Sequence, residues 1–227
     1  MKQFFTRRKL FAITIFLLGG YSSVFSQIEI IERPIEWNQE RLDLTVAYQK
    51  SHYGISNADG SIIPKIVVLH WTVIPTMEDS FRAFNKSKLP SVRDDIAGGG
   101  ALNVSAHYLV DRDGTIYHLL SDTLMARHTI GLNQTAIGIE NVGGTPDKPL
   151  TKEQLKSNIE LVKHLSDLYD IEYVIGHYEY TLFEEHPLWL EQDKGYRTQK
   201  TDPGPDFMKQ VRKGIRKLNL KGAPLKQ

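Results

Sequence analysis

Three polar side chains stand where an α/β sheet would collect a site. His70 closes the run Lys65-Ile-Val-Val-Leu-His70, and His177 closes Tyr173-Val-Ile-Gly-His177. Asp202 lies in Lys200-Thr-Asp-Pro-Gly-Pro205. Reactive groups gather at the strand ends of open α/β sheets. Pro203 biases Asp202 towards an extended backbone, which fixes its side-chain direction. Two imidazoles and one carboxylate form a borderline donor set that suits Zn²⁺, and three protein donors leave a fourth position for water. The three are scattered along the chain, so spacing alone does not separate a metal site from ordinary core or surface histidines. Glu140 is a fourth candidate, set among apolar neighbours in Ala136-Ile-Gly-Ile-Glu140-Asn-Val142. Either it faces water from an edge strand, or it is a buried carboxyl with a tuned pKa that acts as general base or acid.

The elements that must carry these residues are visible in the patterning. The run at 65–70 is apolar on both faces, as in a strand inside a sheet. Thr76 can cap a helix bearing Met77, Phe81 and Phe84. Residues 105–111 and 115–120 flank Arg112-Asp113-Gly114, a hairpin signal with glycine at the turn. Residues 135–142 form another strand, closed by Gly143 and Gly144. Thr151-Lys-Glu-Gln154 fits a capping box, followed by the stripe Leu155, Ile159, Val162, Leu165 and Tyr169. Pro205 starts a last helix with Phe207, Val211, Ile215 and Leu218 on one side. Residues 89–103, with three glycines at 98–100, read as a loop; no Lys-Ser/Thr follows to make them a phosphate cradle. Strands alternating with helices, plus a hairpin, imply a single α/β domain with a central mixed β-sheet flanked by α-helices, at about 62–220. Residues 27–61 are polar and weakly patterned and read as an N-terminal extension of that domain.

Composition excludes several classes. The chain has 227 residues, no cysteine, 28 basic and 27 acidic residues, and 41% hydrophobic residues. Without cysteine there is no disulfide framework, thiol nucleophile or thiolate metal site. A net charge of +1 gives no support for a nucleic-acid partner. Residues 1–26 carry Lys2, Arg7, Arg8 and Lys9, then an apolar run from Leu10 to Leu18, then Val24 and Ser26 as the small pair before a cleavage point. That is the layout of a secretory signal peptide, with a run too short to span a bilayer comfortably. The expectation is a periplasmic or secreted protein with no membrane anchor after cleavage and no lipid-bearing cysteine.

Six motifs in one order carry a family resemblance: Val67-Val-Leu-His-Trp-Thr72, Ser105-Ala-His-Tyr-Leu-Val-Asp-Arg-Asp-Gly114, Ala126-Arg-His128, Ile137-Gly-Ile-Glu140, Ile175-Gly-His177 and Lys200-Thr-Asp-Pro-Gly204. The series resembles the zinc-dependent N-acetylmuramoyl-L-alanine amidases, the family shared with phage T7 lysozyme and the peptidoglycan recognition proteins. The resemblance implies that His70, His177 and Asp202 ligate Zn²⁺, that Glu140 is the catalytic carboxylate, and that Lys200 stabilises the transition state. It implies that His128, Asn133 and Trp71 bind substrate in the groove, and that His107 is structural. The implied partner is peptidoglycan or a muropeptide, cut between N-acetylmuramic acid and L-alanine. Two departures stand out. Ala106 occupies the place where some members use a catalytic tyrosine, which favours a glutamate-based mechanism. The stretch between His177 and Asp202 is long, and His186 within it is a rival ligand. A second reading, a recognition protein that binds wall fragments without cutting them, is disfavoured because candidates for every ligand and for Glu140 are present.

Overall fold

The computed structural model describes residues 28–91 and 98–225. The expected signal peptide lies outside the described residues, as does part of the glycine-bearing loop. The described chain runs β1 (Ile30–Glu32), α1 (Gln39–Tyr53), β2 (Ile66–Trp71), α2 (Met77–Asn85), β3 (Tyr108–Val110), β4 (Ile116–His118), β5 (Ala136–Asn141), α3 (Lys152–Leu168), β6 (Tyr173–Gly176) and α4 (Pro205–Gly214). Short 3₁₀ turns follow at His177–Phe183 and Arg216–Leu218. The strands form one sheet in the order β1-β4-β3-β5-β2-β6. The β3–β4 hairpin is antiparallel and the other neighbours are parallel, so the sheet is mixed, as the patterning implied.

Strand alternation sorts the two faces of this sheet. Val67, Leu69, Ile137, Ile139 and Val174 pack with Leu161, Val162 and Leu165 of α3 and with Phe207, Met208 and Val211 of α4. Each such side chain contributes about 1.5–3 kcal/mol when fully buried. Ile66, Val68, Ala136 and Ile175 point the other way, onto Leu132, Tyr180 and Phe183. By parity, His70 and Glu140 share that second face. The helix starts follow their caps: Thr76 accepts from the Asp79 amide, and Thr151 and Gln154 form the reciprocal capping box. Within α3, Leu161 is fully buried while Leu155 and Ile159 are only partly so.

The weakly patterned segment before β2 contains an edge strand and a 15-residue helix. α1 buries Arg41, Thr45, Tyr48, Gln49, His52 and Tyr53. Their spacing is helical, but their chemistry is mostly polar, so no apolar stripe marks them. Arg41 Nη2 donates to the carbonyls of Phe84, Asn85 and Lys86 at 2.9, 3.0 and 2.6 Å, where α2 ends and a cation is favoured. Burial lowers the Arg41 pKa to about 10, against the opposing charge of Glu36. At the other end of α1, His52 Nδ1 meets the Glu191 carboxylate at 2.9 and 3.1 Å, tying the helix to the stretch before Asp202.

Candidate active site

Register brings the first two candidate residues together. β2 and β5 are parallel with His70 paired to Glu140. β6 flanks β2 on the other side through Leu69 and Gly176, so His177, the next residue, emerges beside His70. Asp202 arrives from the segment before α4, and its carbonyl accepts from the Tyr178 amide at 3.1 Å. Trp71, at the end of β2, packs over Gly144; a Cβ there would lie 2.4 Å from Trp71 Cγ, so the wall needs glycine at that point.

His70 Nδ1 lies 3.0 Å from His177 Nδ1 and 3.0 Å from Asp202 Oδ2, and His177 Nδ1 lies 3.1 Å from the same oxygen. All three residues are buried, and they are the one such trio among the described residues. Zn–N bonds of about 2.0–2.1 Å imply donor separations of roughly 3.3 Å around a tetrahedral ion, close to this triangle. Burial, reinforced by His70, lowers the His177 pKa to about 4 despite Asp202. Burial also opposes ionisation of Asp202, but His177 and His70 outweigh it and hold the carboxyl well below the usual carboxylate range. A neutral imidazole and an ionised carboxylate are the states that ligate a cation, so the donor set fits a divalent metal.

Glu140 completes the centre. Its Oε2 is buried and has no hydrogen-bond partner. Burial pushes the carboxyl up to about 7; His70 and Lys200 pull it down and Asp202 pushes it up. Glu140, Lys200 and the trio line one cavity of about 220 Å³. An unpaired buried carboxylate oxygen is costly unless something else engages it.

A sequence model of the N-acetylmuramoyl-L-alanine amidase family matches residues 57–205, well over half of the chain. The chain belongs to this family. No curated protein sequence matches it. Among solved structures, the N-acetylmuramoyl-L-alanine amidase LysC of Clostridium intestinale URNW is 22% identical, with a TM-score of 0.52 over 86% of this chain and 100% of that one. The endolysin amidase LysCS of the same organism is 20% identical, with a TM-score of 0.51 over 85% and 97%. A selenomethionine derivative of AmpD is 22% identical, with a TM-score of 0.51 over 83% and 96%. At these identities the likeness is one of fold.

The amidase fold places the remaining candidates unequally. His128 lines the cavity but also sits behind the His70–His177–Asp202 trio, its Nδ1 3.0 Å from His70 Nε2 and its Nε2 3.2 Å from the Ala136 carbonyl. Burial, with the charges of His70 and His107, keeps its pKa well below the ordinary value. Gly138 makes this possible, since a Cβ there would be 2.7 Å from the His128 ring. Asn133 is also in the lining, yet its Oδ1 accepts from the amides of His128 and Thr129 at 2.8 and 2.7 Å, and its Nδ2 donates to the Tyr53 hydroxyl at 2.9 Å. It braces the His128 turn. His107 is buried, donating Nε2–H to the Leu124 carbonyl at 2.9 Å and accepting the Gly138 amide on Nδ1 at 3.0 Å. His186 is away from the trio, with Nε2 3.2 Å from the Tyr173 hydroxyl. Sequence reasoning left Tyr48, Arg127, Tyr196 and Thr198 unassigned, although all four line the cavity. The signal that would have found two of them is the alternation Tyr196, Thr198, Lys200, Asp202.

Proposed function

We propose that this chain is an exported, zinc-dependent N-acetylmuramoyl-L-alanine amidase that hydrolyses the amide between N-acetylmuramic acid and L-alanine in peptidoglycan or muropeptides. The observation that carries the reading is the convergence of His70, His177 and Asp202 beside Glu140, whose buried oxygen has no protein partner. His70, His177 and Asp202 would hold the zinc. When bound, the metal supplies Lewis acidity, lowering the pKa of a water towards ~7 and polarising the amide carbonyl. The Glu140 carboxylate takes the proton of the attacking water as the new C–O bond forms. It then gives that proton to the alanine nitrogen as the C–N bond breaks. A carboxyl with a pKa about 7 suits both roles near neutrality. Lys200 faces the same cavity and stabilises charge on the carbonyl oxygen, a contribution of about 10²–10³ in rate for one such donor. His128 fixes the tautomer of His70 by accepting from its Nε2–H, which leaves Nδ1 free to ligate. Trp71, His128 and Asn133 form parts of the wall against which the substrate lies. The layout of residues 1–26 supports export to the periplasm or beyond.

The test is product analysis. Purified protein is incubated with a defined muropeptide, with and without a chelator, and the products are identified by mass spectrometry. The expected result is free sugar and an L-alanine-led peptide, lost with chelator and restored by zinc. An intact muropeptide in the presence of stoichiometric bound zinc would instead support recognition without cleavage.

A further inference from the structure

Glu140 is not the one orphan in the cavity. The Thr198 hydroxyl is also buried without a hydrogen-bond partner, the Tyr48 hydroxyl is buried with no well-formed hydrogen bond and only the Tyr53 hydroxyl beside it, and both residues line the same space. Buried hydroxyls are normally satisfied, so two under-satisfied hydroxyls on residues lining one cleft call for an occupant. Neither lies in a motif of the family series. Tyr48 comes from α1, which precedes the family match at residue 57. Thr198 comes from the long stretch that separates His177 from Asp202.

The segment that carries Thr198 alternates. Tyr196, Thr198, Lys200 and Asp202 all line the cavity, while Gln199 and Thr201 are exposed. At ~3.3–3.6 Å per residue, this alternation leads away from the metal trio for at most about 20 Å. Its far end meets α1: Arg127 Nη2 donates to the Tyr196 hydroxyl at 2.8 Å, and the Arg127 guanidinium lies 5.4 Å over the Tyr48 ring. The scaffold holds both residues still. Tyr180 bonds the Thr198 backbone twice, at 2.6 and 2.8 Å, leaving only its hydroxyl unused. The Tyr48 ring stacks on His52 at 4.3 Å, and the neighbouring Tyr53 hydroxyl is engaged by Asn133.

We infer that Tyr48 and Thr198 form a second substrate subsite, at the end of the cleft away from the metal trio, that hydrogen-bonds an uncharged amide group of the muropeptide. The inference rests on the amidase reading. Hydroxyls both donate and accept, which matches an amide N–H and C=O and gives no advantage to a carboxylate or an ammonium group. Two parts of the substrate carry such amides, the N-acetyl group of the sugar and the peptide bonds of the stem. α1 therefore takes part in binding as well as in packing.

The test uses zinc-loaded Glu140→Gln protein, so that binding is read without turnover. Titration calorimetry compares N-acetylmuramoyl-L-alanine with a muramyl pentapeptide, on this background and with Tyr48→Phe or Thr198→Val added. Each added substitution is expected to weaken binding by about three- to ten-fold, the usual worth of one neutral hydrogen bond. Weakening for both ligands assigns the subsite to the sugar side, and weakening for the pentapeptide alone assigns it to the stem. Tyr48→Phe should also leave Tm nearly unchanged, because it removes a buried hydroxyl that makes no well-formed hydrogen bond. Unchanged affinity in both variants would overturn the subsite while leaving the amidase reading intact. Failure of both ligands to bind the Glu140→Gln background would overturn the functional reading and the subsite with it.

Discussion

Two clusters of histidine and carboxylate sit on this sheet, and their stoichiometry sets them apart. At the centre, two imidazoles share one carboxylate. At the edge, one imidazole sits between two: His118 Nδ1 is 2.9 Å from Glu32 of β1, and its Nε2 is 3.6 Å from Asp122. Burial disfavours charge on His118, yet Asp122 and Glu32 more than compensate and raise its pKa to about 9. A proton satisfies that cluster. In the central trio the ring nitrogens face each other, burial and mutual repulsion drive His177 down to about 4, and a proton is the wrong cation. An excess of carboxylate traps a proton; an excess of imidazole around an ionised carboxylate is suited to a metal.

The largest way to break this contrast is Asp202→Ala. With only two imidazoles left, metal content measured by mass spectrometry should fall close to zero, and amidase activity with it. Full metal occupancy in that variant would assign the third ligand elsewhere. Next comes Glu140→Gln, which leaves the trio intact. Metal content should stay stoichiometric while turnover drops by about 10²–10⁴, the usual worth of general acid–base catalysis. Normal turnover in a kinetic assay would remove Glu140 from the mechanism.

A third cluster has one of each partner. His52 and Glu191 form a buried pair joining α1 to the stretch before Asp202. Glu191→Ala should destabilise the fold by about 3 kcal/mol, a Tm loss of roughly 6–12 °C in thermal melts. A loss under about 2 °C would mean that the pair is not needed to hold α1.

The smallest effect concerns the edge. A histidine whose folded pKa is raised stabilises fully below its unfolded value near 6.5, and that stability is lost as pH rises through about 9. His118 is partly exposed, so screening limits the contribution to about 1 kcal/mol or less. The Tm of the unsubstituted protein should therefore fall by a few degrees more between pH 6.5 and 9.5 than that of His118→Gln. Parallel pH profiles would show that the edge cluster does not bind the proton tightly.

Much of this architecture was legible before any coordinates. β2 announced itself by β-branched residues on both faces, and α3 by a capping box and an apolar stripe. α1 was hidden because the face it buries is built from Arg41, Thr45, Gln49 and His52 among its tyrosines, and it docks through hydrogen bonds to carbonyls as well as through Tyr48 and Tyr53 against Ile62, Leu102 and Met125. β1 was hidden because three residues are too few to establish a period. At the site, ordered motifs pointed to His70, His177, Asp202 and Glu140. They did not reveal that His128 and Asn133 spend most of their polar groups on the scaffold.

What the sequence by itself determined is the local order: which runs extend, where helices begin, and which side chains bear donors and acids. The sequence left open which face Glu140 would take, because the runs carrying His70 and Glu140 are apolar on both faces. What only the tertiary structure decided is proximity and protonation. The parallel register sets Glu140 against His70, and the packing of β6 and of the segment before α4 brings His177 and Asp202 to within 3.1 Å. Burial then sets the charge of each group. Both depend on residues far apart in the chain, because the desolvation and the partner that fix a pKa come from the whole fold.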